Sequence, residues 1–420
     1  MFRPAPRPLR IALLSVHADP LLAIGSEEAG GQNVYVREVA KALAARGHSV
    51  DVFTRNRHGH EVEILTGPGF RDYRLPAGPR GFIPRTQLFP HLPAFMQSFE
   101  QTVRLEGERY DILHSNYWLS AWVGCRLSAK HGLPLVHTHH SLGAVKFATE
   151  GALPSHGPTR LEVEQAVIAH AGIVATSPQE LAIMRQHYGP TTLCTIAPCG
   201  FDDAVFFPRA APPLRRELGV AAGESLIVYA GRFDRNKGID TLVRALSRLA
   251  PRRAVKVALA GGFDSQANDG KEFERIQALV SELGLADRVS FLGKLAPDRL
   301  AELYSAADLC GVPSHYESFG LTALESMACG TPVVASDVGG LRHTVRDGKT
   351  GLRVPPGEPV AFAAACEQLL GNPRLREAMG QAARQLAVRQ FTWKAVASQL
   401  EGFYRSLMAP ERGASMARAH

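Results

Sequence analysis

Residues 9–16, LRIALLSV, form a near-continuous apolar run, and this run limits what the chain can fold into more than any other feature. A strand without polar alternation is apolar on both faces, so it belongs in a parallel sheet covered by helices on both sides. The residues that follow agree. After a glycine-rich loop, Val36, Val39, Ala40 and Leu43 recur at helical spacing, and Gly47 closes the helix. Residues 49–54 read as the next strand. Strand, helix, strand predicts a right-handed βαβ unit whose first loop lies at the carboxyl edge of the sheet, where open α/β folds bind ligands.

The rhythm repeats in short apolar runs at 111–114, 135–138 and 173–176, each ending in polar residues expected to converge on that edge. It stops over 197–213, where Pro198, Gly200, Pro208, Pro212 and Pro213 suit an interdomain linker. A second series begins at 226–230. Leu242, Ala245, Leu246 and Leu249 then form a helical stripe, and further candidate strands lie at 255–260, 289–292, 309–313, 333–336 and 352–354. A chain of 420 residues exceeds the roughly 250–300 that one core supports, so two domains are expected. The predicted fold is α/β, with two doubly wound Rossmann-like domains, 1–205 and 206–390, facing a central cleft. Residues 391–408 are expected as a helix packing back on the first domain, and 409–420 as a frayed tail.

The net charge of +7 points to anionic ligands, whether nucleic acid, anionic lipid or phosphorylated metabolites. No basic run with interleaved aromatics is present, so no nucleic-acid partner is expected. The six cysteines, at 125, 194, 199, 310, 329 and 366, are dispersed and form no C-x-x-C pair. They suggest neither a zinc ribbon nor a disulfide framework, and read as small buried hydrophobes in a reducing compartment. The basic, proline-rich residues 1–10 lead into an apolar run too short for a secretory signal, and no stretch reaches transmembrane length. A cytoplasmic location is expected, and peripheral membrane contact stays open.

Four segments carry chemistry. Gly30-Gly31-Gln32-Asn33 follows the first strand and opens the first helix, so its backbone N–H groups can face a phosphate. Gly231-Arg232-Phe233-Asp234-Arg235-Asn236-Lys237-Gly238 puts two cations, Arg232 and Lys237, after a strand and before a helix, where they can flank a diphosphate. Glu317 and Glu325 span a glycine-containing loop and the helix after it, too far apart to share one role. Glu325 can accept hydrogen bonds from ribose hydroxyls, Glu317 can reach a sugar, and the amides of Phe319, Gly320 and Leu321 can meet phosphate or sugar oxygens. In His137-Thr138-His139-His140-Ser141, at a strand end, His137 and His139 share a face and His140 points away. The spacing offers no further ligand for a metal, and no motif calls for Mg2+ or a tightly bound cofactor.

Jointly these segments resemble a family. Glu317 to Glu325, Cys329-Gly330-Thr331-Pro332-Val333-Val334-Ala335, Val338-Gly339-Gly340 and Asp347-Gly348-x-Thr350-Gly351, with the two earlier loops, are similar to the signature of family-four retaining glycosyltransferases of the GT-B fold. The N-terminal half resembles two branches. Gly30-Gly31-Gln32 and Pro90-His91-Leu92-Pro93-Ala94-Phe95 are similar to sucrose-phosphate synthases. Gly31-x-Asn33-Val34-Tyr35-Val36, Tyr117-Trp118-Leu119-Ser120 and Ala144-Val145-Lys146 are similar to the D-inositol-3-phosphate glycosyltransferases of mycothiol synthesis.

The resemblance implies an acceptor-binding first domain and a nucleotide-sugar-binding second domain. It implies an acceptor phosphate held by Asn33, Arg85, Tyr117, Ser141 and Arg160. Arg85 stands where those relatives have lysine and Ser141 where they have threonine, and both keep hydrogen-bonding capacity. The donor falls to Gly31, Arg232, Lys237, Phe319, Gly320, Leu321 and Glu325, and catalysis to His140, Glu317, Arg232 and Lys237. Retention is implied too. With no carboxylate pair set as in a retaining glycosidase, a front-face route is favoured, with domain closure excluding water. UDP-glucose is the favoured donor and UDP-N-acetylglucosamine the next, transferring to a small, phosphorylated or unphosphorylated, sugar or polyol. A nucleotide-sugar epimerase, a nucleic-acid-binding protein and a pyridoxal-phosphate phosphorylase are the competing readings.

Overall fold

Fourteen strands alternate with helices among the described residues, which in this computed structural model are 7–22, 30–151, 153–191, 193–210, 212–249, 253–262, 268–317 and 319–408. They divide into two compact units, one running to Pro198 and resuming at Trp393, the other spanning Cys199–Thr392.

The first unit holds β1 (Arg10–Leu14), β2 (Ser49–Asn56), β3 (Glu63–Gly67), β4 (Phe70–Pro76), β5 (Ile112–Asn116), β6 (Leu135–Thr138), β7 (Gly172–Ala175) and β8 (Cys194–Ile196). Their order is β3-β4-β2-β1-β5-β6-β7-β8, parallel throughout except for the β3–β4 pair. From β1 the chain winds outward first through β2 and then, on the other side, through β5. The crevice beyond the carboxyl ends of β1 and β5 is therefore the topological switch point, the expected ligand position of an open α/β sheet. Ile11 to Leu14 are covered, as a strand packed on both faces requires.

The second unit holds β9 (Ser225–Ala230), β10 (Val255–Ala260), β11 (Val289–Gly293), β12 (Leu309–Val312), β13 (Val333–Ser336) and β14 (Gly351–Val354), all parallel in the order β11-β10-β9-β12-β13-β14. Its switch point lies between β9 and β12. The loops that leave those strands are residues 231–238 and 313–320.

Two features differ from expectation. The division falls at 198/199 rather than 205/206, and residues 199–206 are no loose linker: Phe201 and Phe206 are buried in the core of the second unit, and Phe201 N donates to Phe391 O. Strands β3, β4 and β8 are additional to those the sequence predicts. β4 carries a fully buried Asp72, which interrupts its apolar run, and β3 is an edge strand whose Ile64 is exposed. The last helix, Trp393–Met408, packs within the first unit. Glu401 meets Arg46 and Arg405 there, and Tyr404 Oη lies 2.7 Å from His114 Nδ1. The expected frayed tail, 409–420, lies outside the described residues. No described helix is long and apolar enough to cross a membrane. All six cysteines are free.

Candidate active site

At the switch point of the first unit, β5 ends in Asn116 and the helix Tyr117–His131 begins at once. Tyr117 takes φ 73°, and the only other non-glycine residue with positive φ among those described is His140, at 59°. Such conformations cost about 1–3 kcal/mol and persist where the surroundings enforce them. Both strained residues stand at strand carboxyl ends, after β5 and β6.

Three of the expected acceptor residues come together around Arg160, on the helix Gly157–His170. Its guanidinium donates to Tyr117 Oη at 3.2 Å, to Ser141 O at 2.8 Å and to Ser141 Oγ at 3.1 Å. It also lies over the Tyr117 and Phe147 rings. Arg160 is 1% exposed, so its charge requires a partner. Glu164, one helical turn on and fully buried, accepts from Arg160 Nε at 2.7 Å, from Gly143 N and from Tyr188 Oη. A Cβ at Gly143 would sit 2.9 Å from Glu164 Oε2 and 3.0 Å from Arg160 Nε, so only glycine admits this approach.

Asn33 is differently employed. Its side-chain oxygen accepts from Gly30 N at 2.9 Å, its own N–H donates back to Gly30 O at 3.1 Å, and its amide donates to Asp19 O at 2.8 Å. These bonds close the start of the helix Gly31–Ala44. Gly31 is the first residue of that helix, where N–H groups lack intrahelical partners. Arg85 lies in a short 3-10 turn, Arg85–Gln87, and its charge reaches His17.

His140 is held from two sides. Its Nε2 lies 2.9 Å from Asn116 Oδ1, and its ring meets the Tyr35 ring edge-on at 4.8 Å; Tyr35 in turn meets Trp393. Burial lowers the His140 pKa to about 3, so the imidazole is neutral and acts as a hydrogen-bonding group, not a cation. His137 and His139 pack against each other, with ring centroids 4.4 Å apart and both buried. Among the described residues no cluster could hold a metal ion.

At the switch point of the second unit the two expected cations differ. Arg232 is exposed, its carbonyl held by Tyr229 Oη at 2.9 Å. Lys237 donates to Glu317 Oε2 at 2.6 Å, which brings the two carboxyl-end loops together. Gly238 makes that contact feasible: with φ 61°, its Cβ position would lie 2.2 Å from Pro313 O. His315 N donates to Asn236 O in the same seam. Glu317 O accepts from Gly340 N, and Gly320 caps the helix Leu321–Ala328. Phe319 is buried against Phe391, so only its backbone is left to face a ligand, and Ser318 lies outside the described residues. Glu325 is partly buried on that helix. Burial raises its pKa to about 7, while Tyr304 Oη, donating at 3.2 Å, opposes the rise.

Two residues of the first site, His17 and Arg57, are not among those the sequence points to. His17 stands in the loop after β1 and packs on Tyr117 with ring centroids 4.7 Å apart, and Arg57 donates to its carbonyl at 3.2 Å. Its Nδ1 is buried with no hydrogen-bond partner among the described residues. Burial, then the positive charges of Arg85, Arg57 and Arg160, lower the His17 pKa to about 3. The one signal in the sequence is its place directly beyond the first parallel strand.

Residues 30–200 match the family described as Glycosyl transferase 4-like domain, and residues 211–386 match Glycosyl transferases group 1. The D-inositol 3-phosphate glycosyltransferase of Acidothermus cellulolyticus is 39% identical over 98% of this chain and 93% of its own. That of Nocardia farcinica is 39% identical over 97% and 92%. Among solved structures, sucrose-phosphate synthase from Thermosynechococcus elongatus superposes with a TM-score of 0.82 at 43% identity, over 96% of this chain and 99% of that one. HepE of Anabaena in complex with UDP-glucose shares the fold, with a TM-score of 0.72 at 22% identity over 95% and 100%.

Proposed function

The chain belongs to the group 1 glycosyltransferases and has their GT-B fold, and from that membership we propose that it transfers a hexosyl group, with retention, from a nucleotide diphosphate sugar to a small phosphorylated sugar or polyol. The observation that carries the acceptor half of this reading is the convergence of Arg160, Tyr117 and Ser141, with Arg57 and Arg85 adding positive charge. Buried, preorganised arginine geometry suits a phosphate, which can accept several charge-assisted hydrogen bonds at once. Neutral His17, with a free ring nitrogen beside them, suits a hydroxyl of the same acceptor. The names of the relatives agree: one acts on inositol 3-phosphate, and the other is a sucrose-phosphate synthase.

The donor is assigned to the second unit. Arg232 and Lys237 meet the diphosphate, the N–H groups from Phe319 to Leu321 meet its oxygens or the sugar's, and Glu325 accepts from the ribose hydroxyls. Gly31 offers a backbone N–H as well. UDP-glucose is the favoured donor, being the ligand of the Anabaena structure. In the front-face route the acceptor oxygen bonds the anomeric carbon on the face the diphosphate leaves. The breaking C–O bond sends its electron pair to the departing phosphate oxygen, which takes the acceptor's proton. Arg232 and Lys237 stabilise the charge that grows on that oxygen, where positive charge lowers the barrier most. Neutral His140 positions a sugar hydroxyl, and Glu317 contacts the sugar once Lys237 turns to phosphate.

The test is to incubate the protein with a panel of nucleotide sugars, with D-inositol 3-phosphate, hexose phosphates and their dephosphorylated counterparts. Release of the nucleotide diphosphate and the mass and anomeric configuration of the product are then measured. A retained glycoside formed from a phosphorylated acceptor supports the reading. Transfer to dephosphorylated acceptors alone, or an epimerised nucleotide sugar, rejects it.

A further inference from the structure

We infer that Asp72, on β4, is a positioning residue for the acceptor site: together with Arg74 it holds the Asp19 carboxylate, and through Asp19 the loop after β1 that carries His17. The inference rests on the acceptor reading above.

Asp72 is fully buried and Asp19 is 4% exposed, and neither belongs to the residues that meet a ligand. Asp19 ties the loop together at three points. Its Oδ1 accepts from Leu21 N at 2.8 Å, its carbonyl accepts from Asn33 Nδ2 at 2.8 Å, and its Oδ2 pairs with an Arg74 terminal nitrogen at 3.0 Å. The loop that turns on Asp19 and the helix that Asn33 caps are the two segments that line the switch point from the β1 side. Two residues before Asp19 stands His17, against Tyr117.

The charges around this knot do not cancel. Three carboxyl groups face one guanidinium: Asp19 from the loop, Asp72 from β4 itself and Glu63 from β3, whose Oε2 lies 3.3 Å from Arg74. Arg74 Nε stands 3.5 Å from Asp72, too far for a good hydrogen bond, and neither Asp72 oxygen has a donor among the described residues. Asp19 and Asp72 reach neighbouring nitrogens of the same Arg74 guanidinium, which sets the two carboxyl groups beside each other. Two buried carboxyl groups side by side bond only when one of them keeps its proton. Burial and the Asp19 charge favour the proton on Asp72, which then donates to Asp19 and leaves that carboxylate paired with Arg74. Loss of the proton turns this bond into repulsion between buried like charges and weakens the hold on Asp19, two residues from His17.

The experiment compares wild type, Asp72→Asn and Asp72→Ala at saturating UDP-glucose, from about pH 6.5 to 9, with whichever of D-inositol 3-phosphate and a hexose-phosphate panel the wild type glycosylates. Asparagine keeps a donor toward Asp19 and cannot ionise; alanine removes the bond. The wild-type acceptor KM is expected to rise about tenfold across this range, the value of one lost hydrogen bond, while kcat changes little. Asp72→Asn holds the low KM throughout, and Asp72→Ala shows the raised KM at every pH, with the donor KM of all three alike. A purely structural role would lower the melting temperature of Asp72→Ala and leave its acceptor KM at the wild-type value. That result, or a wild-type KM profile as flat as that of Asp72→Asn, overturns the inference. Should Asp72→Ala not fold, the comparison of wild type with Asp72→Asn decides alone. If the wild type glycosylates no phosphorylated acceptor, the acceptor reading fails first and this inference falls with it.

Discussion

Lys237 and Glu317, far apart in sequence, form a 2.6 Å ion pair between the loops that follow β9 and β12. The ammonium proposed to meet a leaving diphosphate is therefore neutralised beforehand by the carboxylate proposed to meet the sugar. A bound diphosphate competes with Glu317 for this cation. Lys237→Ala is expected to lower kcat by about 10²–10³, as removal of one transition-state charge contact does, with little change in melting temperature because the pair is partly solvated. Glu317→Gln is expected to bind the nucleotide as tightly as wild type or tighter, while turnover falls. Calorimetry with UDP and steady-state rates separate the two; weaker UDP binding by Glu317→Gln contradicts the competition.

Glu325 titrates near neutrality, with its pKa raised to about 7 by burial. Ribose hydroxyls donate best to the ionised carboxylate, so donor affinity is expected to rise as pH increases through 7 and to level off above it. A nucleotide sugar is the right probe, since its diphosphate does not titrate in this range. Glu325→Gln flattens the profile and weakens binding. A pH-dependent profile that survives the substitution unchanged removes Glu325 from the ribose.

Arg160 and Glu164 form a buried pair, so breaking it from one side leaves an uncompensated charge. Arg160→Ala is expected to cost about 3–5 kcal/mol of stability and to raise the acceptor KM. Arg160→Met combined with Glu164→Gln recovers much of the stability, because no buried charge is orphaned, but none of the acceptor affinity. Denaturant unfolding and acceptor kinetics on the same samples test this; a double variant with wild-type KM contradicts the phosphate assignment.

Asp72 bears on stability as well as on the acceptor loop. Burial, and then repulsion from Asp19, push its pKa well above the usual carboxylate range, against the opposing pull of Arg74. The folded protein therefore holds a proton that the unfolded chain has already released. The stability this contributes is fully present below the unfolded carboxyl value and is lost as pH rises through the raised one. Melting temperature is expected to fall toward alkaline pH, and Asp72→Asn to reduce that fall. Parallel curves for the two proteins over about pH 5 to 9 reject the assignment.

Much of this frame is legible in the residues themselves. The strands at 135–138, 255–260 and 333–336 are readable because strands packed on both faces are built around short apolar runs that end where glycine or polar residues begin. β3 and β4 are not, since an edge hairpin alternates weakly and the buried Asp72 breaks the apolar run of β4, its setting beside Asp19 being given by tertiary structure and not by nearby sequence. At the sites, glycine loops and paired charges announce themselves locally. The Lys237–Glu317 pair does not, because nothing near either residue names the other. His17 is similarly silent, a lone histidine whose surroundings are Tyr117 after β5, Arg57 after β2, Arg160 on its helix and the turn at Arg85. Asn33 reads as a ligand by resemblance, yet its side chain is engaged in capping its own helix.

The most direct measurement is a crystal structure of the protein soaked with UDP. The diphosphate is expected to be hydrogen-bonded to the Arg232 guanidinium and the Lys237 ammonium, with Lys237 withdrawn from Glu317 and with Glu325 on the ribose. A diphosphate bound away from both cations, with the Lys237–Glu317 pair intact, contradicts this expectation.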